Sequence, residues 1–428
     1  MTGTPTLDRY QALLGTQELD RLEALARQFR GHRLVMVNST ASGGGVAEIL
    51  RGMMVLLGEL GIDAAWEVMG GDAGFYRVTK AIHNGLHGRP AGLTAEMRET
   101  YRARMEIEAA RLRLDGDVIM IHDPQPAGLV ALRRRGGQAW IWRCHIDLSA
   151  PDPETWEFLE PWVALHAAAI FSAAAFVRPL PIPSFLAPPS IDPFADKNRE
   201  LADGEMQNAI RSLGLEGERP ILAQVSRFDR LKDPVGVVHA FARVKRRRDA
   251  VLVLAGGSAD DDPEGVEVLE ETRSAAGKVG DVRVLELPND ANVEINALQR
   301  ASTVVFQKSL REGFALTVSE ALWKRRATVV SAVGGIPLQV IHERTGLLVH
   351  SIEGAAFQAL RLLERPGLRR RLGEAGREHV RLHFLQPRET RDYLAVGLTA
   401  LAQQASGTLP HARSPLLLPS GRRAGGPA

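Results

Sequence analysis

The sequence predicts an α/β protein of two Rossmann-like domains that face each other across a cleft. Three observations carry this. Both halves of the 428-residue chain alternate short apolar runs with amphipathic runs, the pattern of parallel strands joined by crossover helices. A proline-rich stretch separates the halves. The length suits two domains of about 150–200 residues each.

In the first half, Arg33 to Val37 reads as a buried strand, followed by glycines at 43, 44 and 45. Val46, Ile49, Leu50, Met53, Leu57 and Leu60 then share one helical face, and Gly61 ends that helix. Ala64 to Met69, Val118 to Ile121, Trp140 to Trp142 and Ala168 to Phe171 continue the strand series. Six prolines between Pro179 and Pro193 stop any helix there. In the second half, the strands are Ile221 to Val225, Val251 to Leu254, Val282 to Leu285, Thr303 to Phe306 and Thr328 to Val330. Helical runs at Val235 to Val244, Glu264 to Lys278, Val293 to Arg300 and Phe314 to Arg325 separate them. The expected division is residues 1–190 for an N-terminal domain with an extension and 191–375 for a C-terminal domain. Residues 376–402 form a helix packing back on the first domain, and 403–428 a disordered tail.

Composition narrows the function classes. The chain is 45% apolar and 24% charged, as globular proteins are. A formal net charge of +2 makes no general electrostatic case for nucleic acid or an acidic membrane. The basic clusters Arg133 to Arg135, Lys245 to Arg248 and Arg369 to Arg371 sit near helix ends, where cations suit the dipole. The single cysteine, Cys144, suits a reducing compartment. With no signal peptide and no run of ~20 apolar residues, the expectation is a cytoplasmic protein.

Three segments carry chemistry. Ser42-Gly43-Gly44-Gly45-Val46 lies between a strand and a helix. There, glycines and free helix N–H groups can receive an anion. The spacing is not that of a nicotinamide-binding turn, and a tight structural turn reads equally well. Arg227 and Lys232 follow a strand, and Asp233-Pro234 open the next helix. Two such cations can hold a diphosphate and stabilise its departure, or be incidental loop charges. In Glu312-Gly313-Phe314-Ala315-Leu316-Thr317-Val318-Ser319-Glu320 the two acids stand eight positions apart. That is close to two helical turns, so both can point to one side, where carboxylates accept from sugar hydroxyls.

The Glu312/Glu320 spacing resembles the signature of retaining glycosyltransferase family 4. Ser226-Arg227-Phe228 with Lys232-Asp233 is similar to that family's diphosphate segment. Val333-Gly334-Gly335-Ile336-Pro337 and Thr345-Gly346-Leu347-Leu348-Val349 resemble its later landmarks. In the first half, Asn38-Ser39-Thr40, Ile121-His122-Asp123-Pro124-Gln125-Pro126 and Trp142-Arg143-Cys144-His145-Ile146-Asp147-Leu148-Ser149 resemble the trehalose glycosyltransferring synthases.

The resemblance implies two facing domains of the GT-B type and retaining transfer between a nucleoside-diphosphate glucose and glucose. It implies no bound cofactor and no metal ligands. Glu320 would bind the ribose, and Glu312 the donor glucose with Gly313, Phe314 and Ala315 beside it. Arg227 and Lys232 would hold the diphosphate, helped by N–H groups near Gly44 and Gly45. His145 would face the donor sugar, and Asp123, Gln125 and Asp147 would line the acceptor. The partners are small molecules rather than nucleic acid or membrane, with a homodimer left open. Other acceptors (sucrose-type, glycerate, lipid-linked) and a non-catalytic sugar-nucleotide sensor are the alternatives.

Overall fold

The computed structural model describes residues 6–41, 44–133, 136–217, 219–257 and 263–406. Of the tail expected at 403–428, residues 403–405 are helical instead; those beyond 406, with Ser42, Gly43, Arg134 and Arg135 of the motifs above, lie outside them.

Two six-stranded sheets form, and every strand pair is parallel. The first contains β1 (Arg33–Asn38), β2 (Asp63–Val68), β3 (Val118–His122), β4 (Ala139–Cys144), β5 (Ala168–Phe171) and β6 (Ser184–Leu186). Its order is β2-β1-β3-β4-β5-β6. The second contains β7 (Ile221–Val225), β8 (Val251–Gly256), β9 (Val282–Glu286), β10 (Val304–Gln307), β11 (Thr328–Ser331) and β12 (Leu347–Val349). Its order is β12-β11-β10-β7-β8-β9.

Helices cover the faces of these sheets, so central strands such as β3, β4 and β7 are buried at every residue. That is why they read as continuous apolar runs rather than alternating ones. Several helices start on a side-chain cap. Asp72 accepts from the Phe75 N–H at 2.9 Å, and Ser351 from the Gly354 N–H at 3.0 Å. No helix among the described residues is long and apolar enough to cross a membrane.

Several elements escaped the sequence reading, among them helices Thr6–Leu14, Thr16–Phe29 and Ile352–Glu364 and the strands β12 and β6. β6 lies inside the proline-rich stretch as an edge strand, where Pro183 costs no ladder bond and its carbonyl accepts the Ala169 N–H at 2.9 Å. The single C-terminal helix is instead two, Pro366–His383 and Gln386–Ala405. The break lets Leu385 bridge to Ile191.

The contacts divide the chain into two compact units. The N-terminal unit holds the first sheet and is drawn from Ala24–Ala41, Leu57–Ala187 and the described residues after Asp392. The C-terminal unit holds the second sheet, from the described parts of Met1–Glu23, Ser42–Leu56 and Pro188–Arg391. Neither is one stretch of chain, unlike the division at 190 and 375. Long-range pairings set these borders. The Gln386 amide donates to the Ile49 carbonyl at 3.1 Å, placing the front of helix Gly45–Glu59 in the C-terminal unit.

Candidate active site

In the C-terminal unit the chain runs outward from β7 to β9. It then returns to lay β10 on the other side of β7. The loops leaving β7 and β10 therefore diverge, and open α/β sheets receive ligands at such a switch point. The first loop carries Arg227 and Lys232, the second Glu312. Lys232 Nζ donates to Glu312 Oε2 at 2.7 Å, and the Ser309 hydroxyl donates to the same oxygen at 3.0 Å. Buried Gln224 on β7 fixes both loops. Its amide donates to the Lys232 carbonyl at 2.9 Å, and its carbonyl accepts the Lys308 N–H at 2.9 Å. Lys308 pairs with Asp233, the left-handed cap of helix Pro234–Lys245. Arg227 stays half exposed, 3.8 Å from Asp229.

The Glu312 loop is backed by glycines. A Cβ on Gly334 would lie 1.7 Å from the Glu312 carbonyl oxygen, and one on Gly335 2.4 Å from that of Gly313. Ala315 adopts a left-handed φ of 69° and caps helix Leu316–Trp323, while Phe314 packs on Phe384 with ring centroids 5.4 Å apart. The cap delays the helix, so Glu320 is its fifth residue, little more than one turn in. The two acids are not partners, because each carboxylate meets its own cations. Glu320 is buried, with Lys197 Nζ 3.9 Å from Oε1, and Lys324 lies below it. Burial raises its carboxyl above the usual range, Lys197 lowers it and Glu48 raises it again. Gly45 opens the helix that carries Glu48, and a Cβ there would touch Leu316 Cδ1 at 2.9 Å. Gly44 lies just ahead of that helix. Gly45 and the Glu312–Glu320 segment are thus neighbours.

The N-terminal unit has its own switch point, between β1 and β3. Asp123 follows β3 with a φ of 67°, held by three bonds. Its N–H donates to the Arg143 carbonyl at 2.8 Å, and its carbonyl accepts from Trp142 Nε1 at 3.0 Å. Oδ1 accepts the His145 N–H at 2.7 Å. Such over-determined backbone strain gathers at functional sites.

The His145 ring stacks on His122, with Nε2 to Nδ1 at 3.1 Å. Burial, then Arg143, pushes His122 down to about 3, and His145 falls well below its ordinary value for the same reasons. Both rings are neutral near pH 7, and one donates to the other. Gln125 has a buried Oε1 with no hydrogen-bond partner. Asp147 is buried and accepts the Ser149 N–H at 2.9 Å, so part of its capacity is spent on its own turn.

Burial pushes Asp123 up to about 6, although the His145 N–H and Arg143 pull it down. A carboxyl raised in the folded state costs stability when ionised and regains it as pH falls towards the unfolded value. Asp123→Asn keeps the acceptor for His145 and tolerates a left-handed backbone. The variant is expected to be the more stable at pH 7.5, with the advantage shrinking towards pH 4, read from urea midpoints. A gap constant with pH would contradict the buried ionisation.

Residues 36–178 match the family model for the N-terminal domain of trehalose synthase, and residues 205–379 match that for glycosyl transferases group 1. The chain is 40% identical to a trehalose synthase of Rubrobacter xylanophilus, over 92% of this chain and 96% of that one. The chain belongs to the trehalose synthase family of glycosyltransferases. A second family member, the trehalose synthase of Pyrococcus horikoshii, is 39% identical over the same shares. Among solved structures, a UDP-forming α,α-trehalose-phosphate synthase from Burkholderia xenovorans superposes with a TM-score of 0.69. It shares 18% identity and covers 87% of this chain and 99% of that one. This likeness gives the fold, GT-B.

In this member of the trehalose synthase family, sequence reasoning missed several partners of the candidate residues. His122 has no signal of its own in the sequence beyond its motif, yet its ring supports His145. Ser309, Lys308 and Gln224 fix the Glu312 and Lys232 loops, and Lys197 and Lys324 flank Glu320. Scarcity of lysine was the one available signal: the chain has seven, and Lys197, Lys232, Lys308 and Lys324 all lie here.

Proposed function

We propose that this glycosyltransferase forms trehalose from a nucleoside-diphosphate glucose and free glucose, reversibly and with retention at the anomeric carbon. The observation that carries this reading is the Lys232–Glu312 pair at the β7/β10 switch point. There, a cation and an anion from different loops hold each other in a form ready for a ligand with both an anionic group and hydroxyls. Lys232 and Arg227 take the diphosphate as charge-assisted donors, with N–H groups near Gly44 and Gly45 beside them. Glu312 accepts from glucose hydroxyls next to Gly313, Phe314 and Ala315. Glu320 accepts from the ribose.

His145, neutral and fixed by His122, serves the donor sugar as a hydrogen-bonding group. Asp123, Gln125 and Asp147 serve the acceptor, and the buried unpartnered Gln125 oxygen favours a hydroxyl-bearing one. Bond cleavage is assisted by charge stabilisation of the departing diphosphate rather than by an enzyme nucleophile. The leaving phosphate oxygen takes the acceptor's proton as the acceptor attacks the same face. No metal or bound cofactor is required in this scheme.

The test is to incubate the protein with trehalose and either UDP or ADP, without added metal, and to assay nucleotide glucose and free glucose. Formation of both with one nucleotide is the expected result and ranks the bases. Transfer seen only with other acceptors would overturn the glucose assignment. Nucleotide binding without any transfer would mark a sensor.

A further inference from the structure

Lys197 has no part in the scheme above, yet it stands where three segments of the C-terminal unit meet. Its backbone is clamped on either side. Asn296 Nδ2 donates to the carbonyls of Asp196 and Arg199, both at 2.8 Å. Arg300 Nη2 donates to those of Asn198 at 3.2 Å and Arg199 at 2.9 Å. Lys324 Nζ donates to Asn198 Oδ1 at 2.9 Å. From this fixed base, Lys197 Nζ donates to Glu48 Oε1 at 2.6 Å and lies 3.9 Å from Glu320 Oε1. Glu48 is in the first turn of the helix that Gly45 opens. Glu320 Oε2 is buried and accepts no hydrogen bond. A buried carboxylate oxygen left unspent in this way awaits a donor.

We propose that Lys197 is a positioning residue for the nucleotide. It ties Glu320 to the glycine-led helix through Glu48, so that the ribose and diphosphate contacts form one preassembled site. This rests on the ribose role given to Glu320 above and extends it.

The charged groups facing Glu320 are Lys197 from the segment between the sheets, Glu48 from the glycine-led helix and Lys324 from its own helix. Arg300 and Glu200 stand behind Lys324. Lys197 is the larger of the two cationic influences on Glu320, and Glu48 opposes it. Burial draws the Lys197 ammonium down, but Glu320 and Glu48 outweigh this and hold it above its ordinary value. Without Lys197, two carboxylates face each other and Glu320 protonates more readily. A protonated carboxyl is the poorer acceptor for a ribose diol. Loss of Lys197 therefore moves the acidic fall in nucleotide affinity to higher pH, which a merely structural role would not do.

The experiment is calorimetric titration with UDP-glucose or ADP-glucose, whichever the wild type binds, from pH 5 to 8. The diphosphate of a nucleotide sugar does not titrate in this range, so any pH dependence belongs to the protein. K197M is expected to bind about tenfold more weakly at pH 7, about 1.4 kcal/mol, with its acidic limb displaced upward. K197R should keep the wild-type profile. The double variant E48Q/K197M, which removes the facing charge and keeps the net charge, should regain part of the affinity.

A wild-type profile in K197M, or a loss equal at every pH and unrelieved by E48Q, would overturn the proposal. E320Q separates the two layers. If E320Q binds normally, the ribose role falls and this proposal with it. If E320Q binds weakly while K197M binds normally, this proposal alone falls.

Discussion

Glu312→Ala is expected to lower transfer by about 10³-fold while leaving the unfolding midpoint close to wild type. The carboxylate is held at the C-terminal unit's switch point by Lys232 Nζ at 2.7 Å and Ser309 Oγ at 3.0 Å. On the proposed function its removal takes away a sugar acceptor, and it also releases the Lys232 ammonium. Lys232→Ala should cost about 10²–10³-fold, the usual loss when one stabiliser of developing charge is deleted. Because the two act through one contact, the double variant should be little worse than the poorer single one. Steady-state kcat/KM with nucleotide sugar and glucose decides this. Losses that multiply in the double variant would mean the two residues act separately. A Glu312→Ala enzyme with most of its activity would remove the donor-site assignment.

Arg143→Met is expected to destabilise the N-terminal unit by about 3–5 kcal/mol, because each buried acceptor left without its donor costs about 1–3 kcal/mol. The guanidinium is fully buried. It donates to the Tyr393 hydroxyl at 2.8 Å, the Cys144 carbonyl at 2.8 Å, Ser172 Oγ at 3.2 Å and the Ala187 carbonyl at 2.7 Å. It thereby joins the end of β4, the chain leaving β6 and the final helix. Methionine fills much of the volume and satisfies none of these acceptors. Set against about 5–15 kcal/mol for a whole domain, the loss should appear as a large drop in the urea midpoint and in soluble yield. An unchanged midpoint would mean that the four bonds contribute nothing net.

The central strands were legible because burial on both faces leaves a sequence little choice but apolar residues. β5 and β7 fall at their expected limits. β6 was not legible, because a three-residue edge strand with exposed ends has no such constraint. Helix Leu316–Trp323 starts two residues later than its pattern predicts, since nothing in the residue type of Ala315 announces its left-handed φ of 69°. At the site, spacing paired Glu312 with Glu320 and Arg227 with Lys232. That Lys232 and Glu312, 80 positions apart, share a hydrogen bond follows from the β10-β7 pairing, which local pattern does not encode. Lys197 is less visible still, because its meaning lies in partners 149 residues before it and 123 after.

The borders of the two units fall after Glu23, Ala41, Leu56, Ala187 and Arg391, so the backbone passes from one to the other five times. The halves cannot be exchanged between relatives by a single splice. A hybrid gene joined at Ala187–Pro188 would bring Glu48, Ile49 and Gly52 from one parent. Their counterparts Lys197 and Gln386 would come from the other. Gly52 leaves no slack in this, since a Cβ there would lie 2.3 Å from the Gln386 amide nitrogen. Recombination within this family should therefore favour whole-gene replacement over the shuffling of its two sheets.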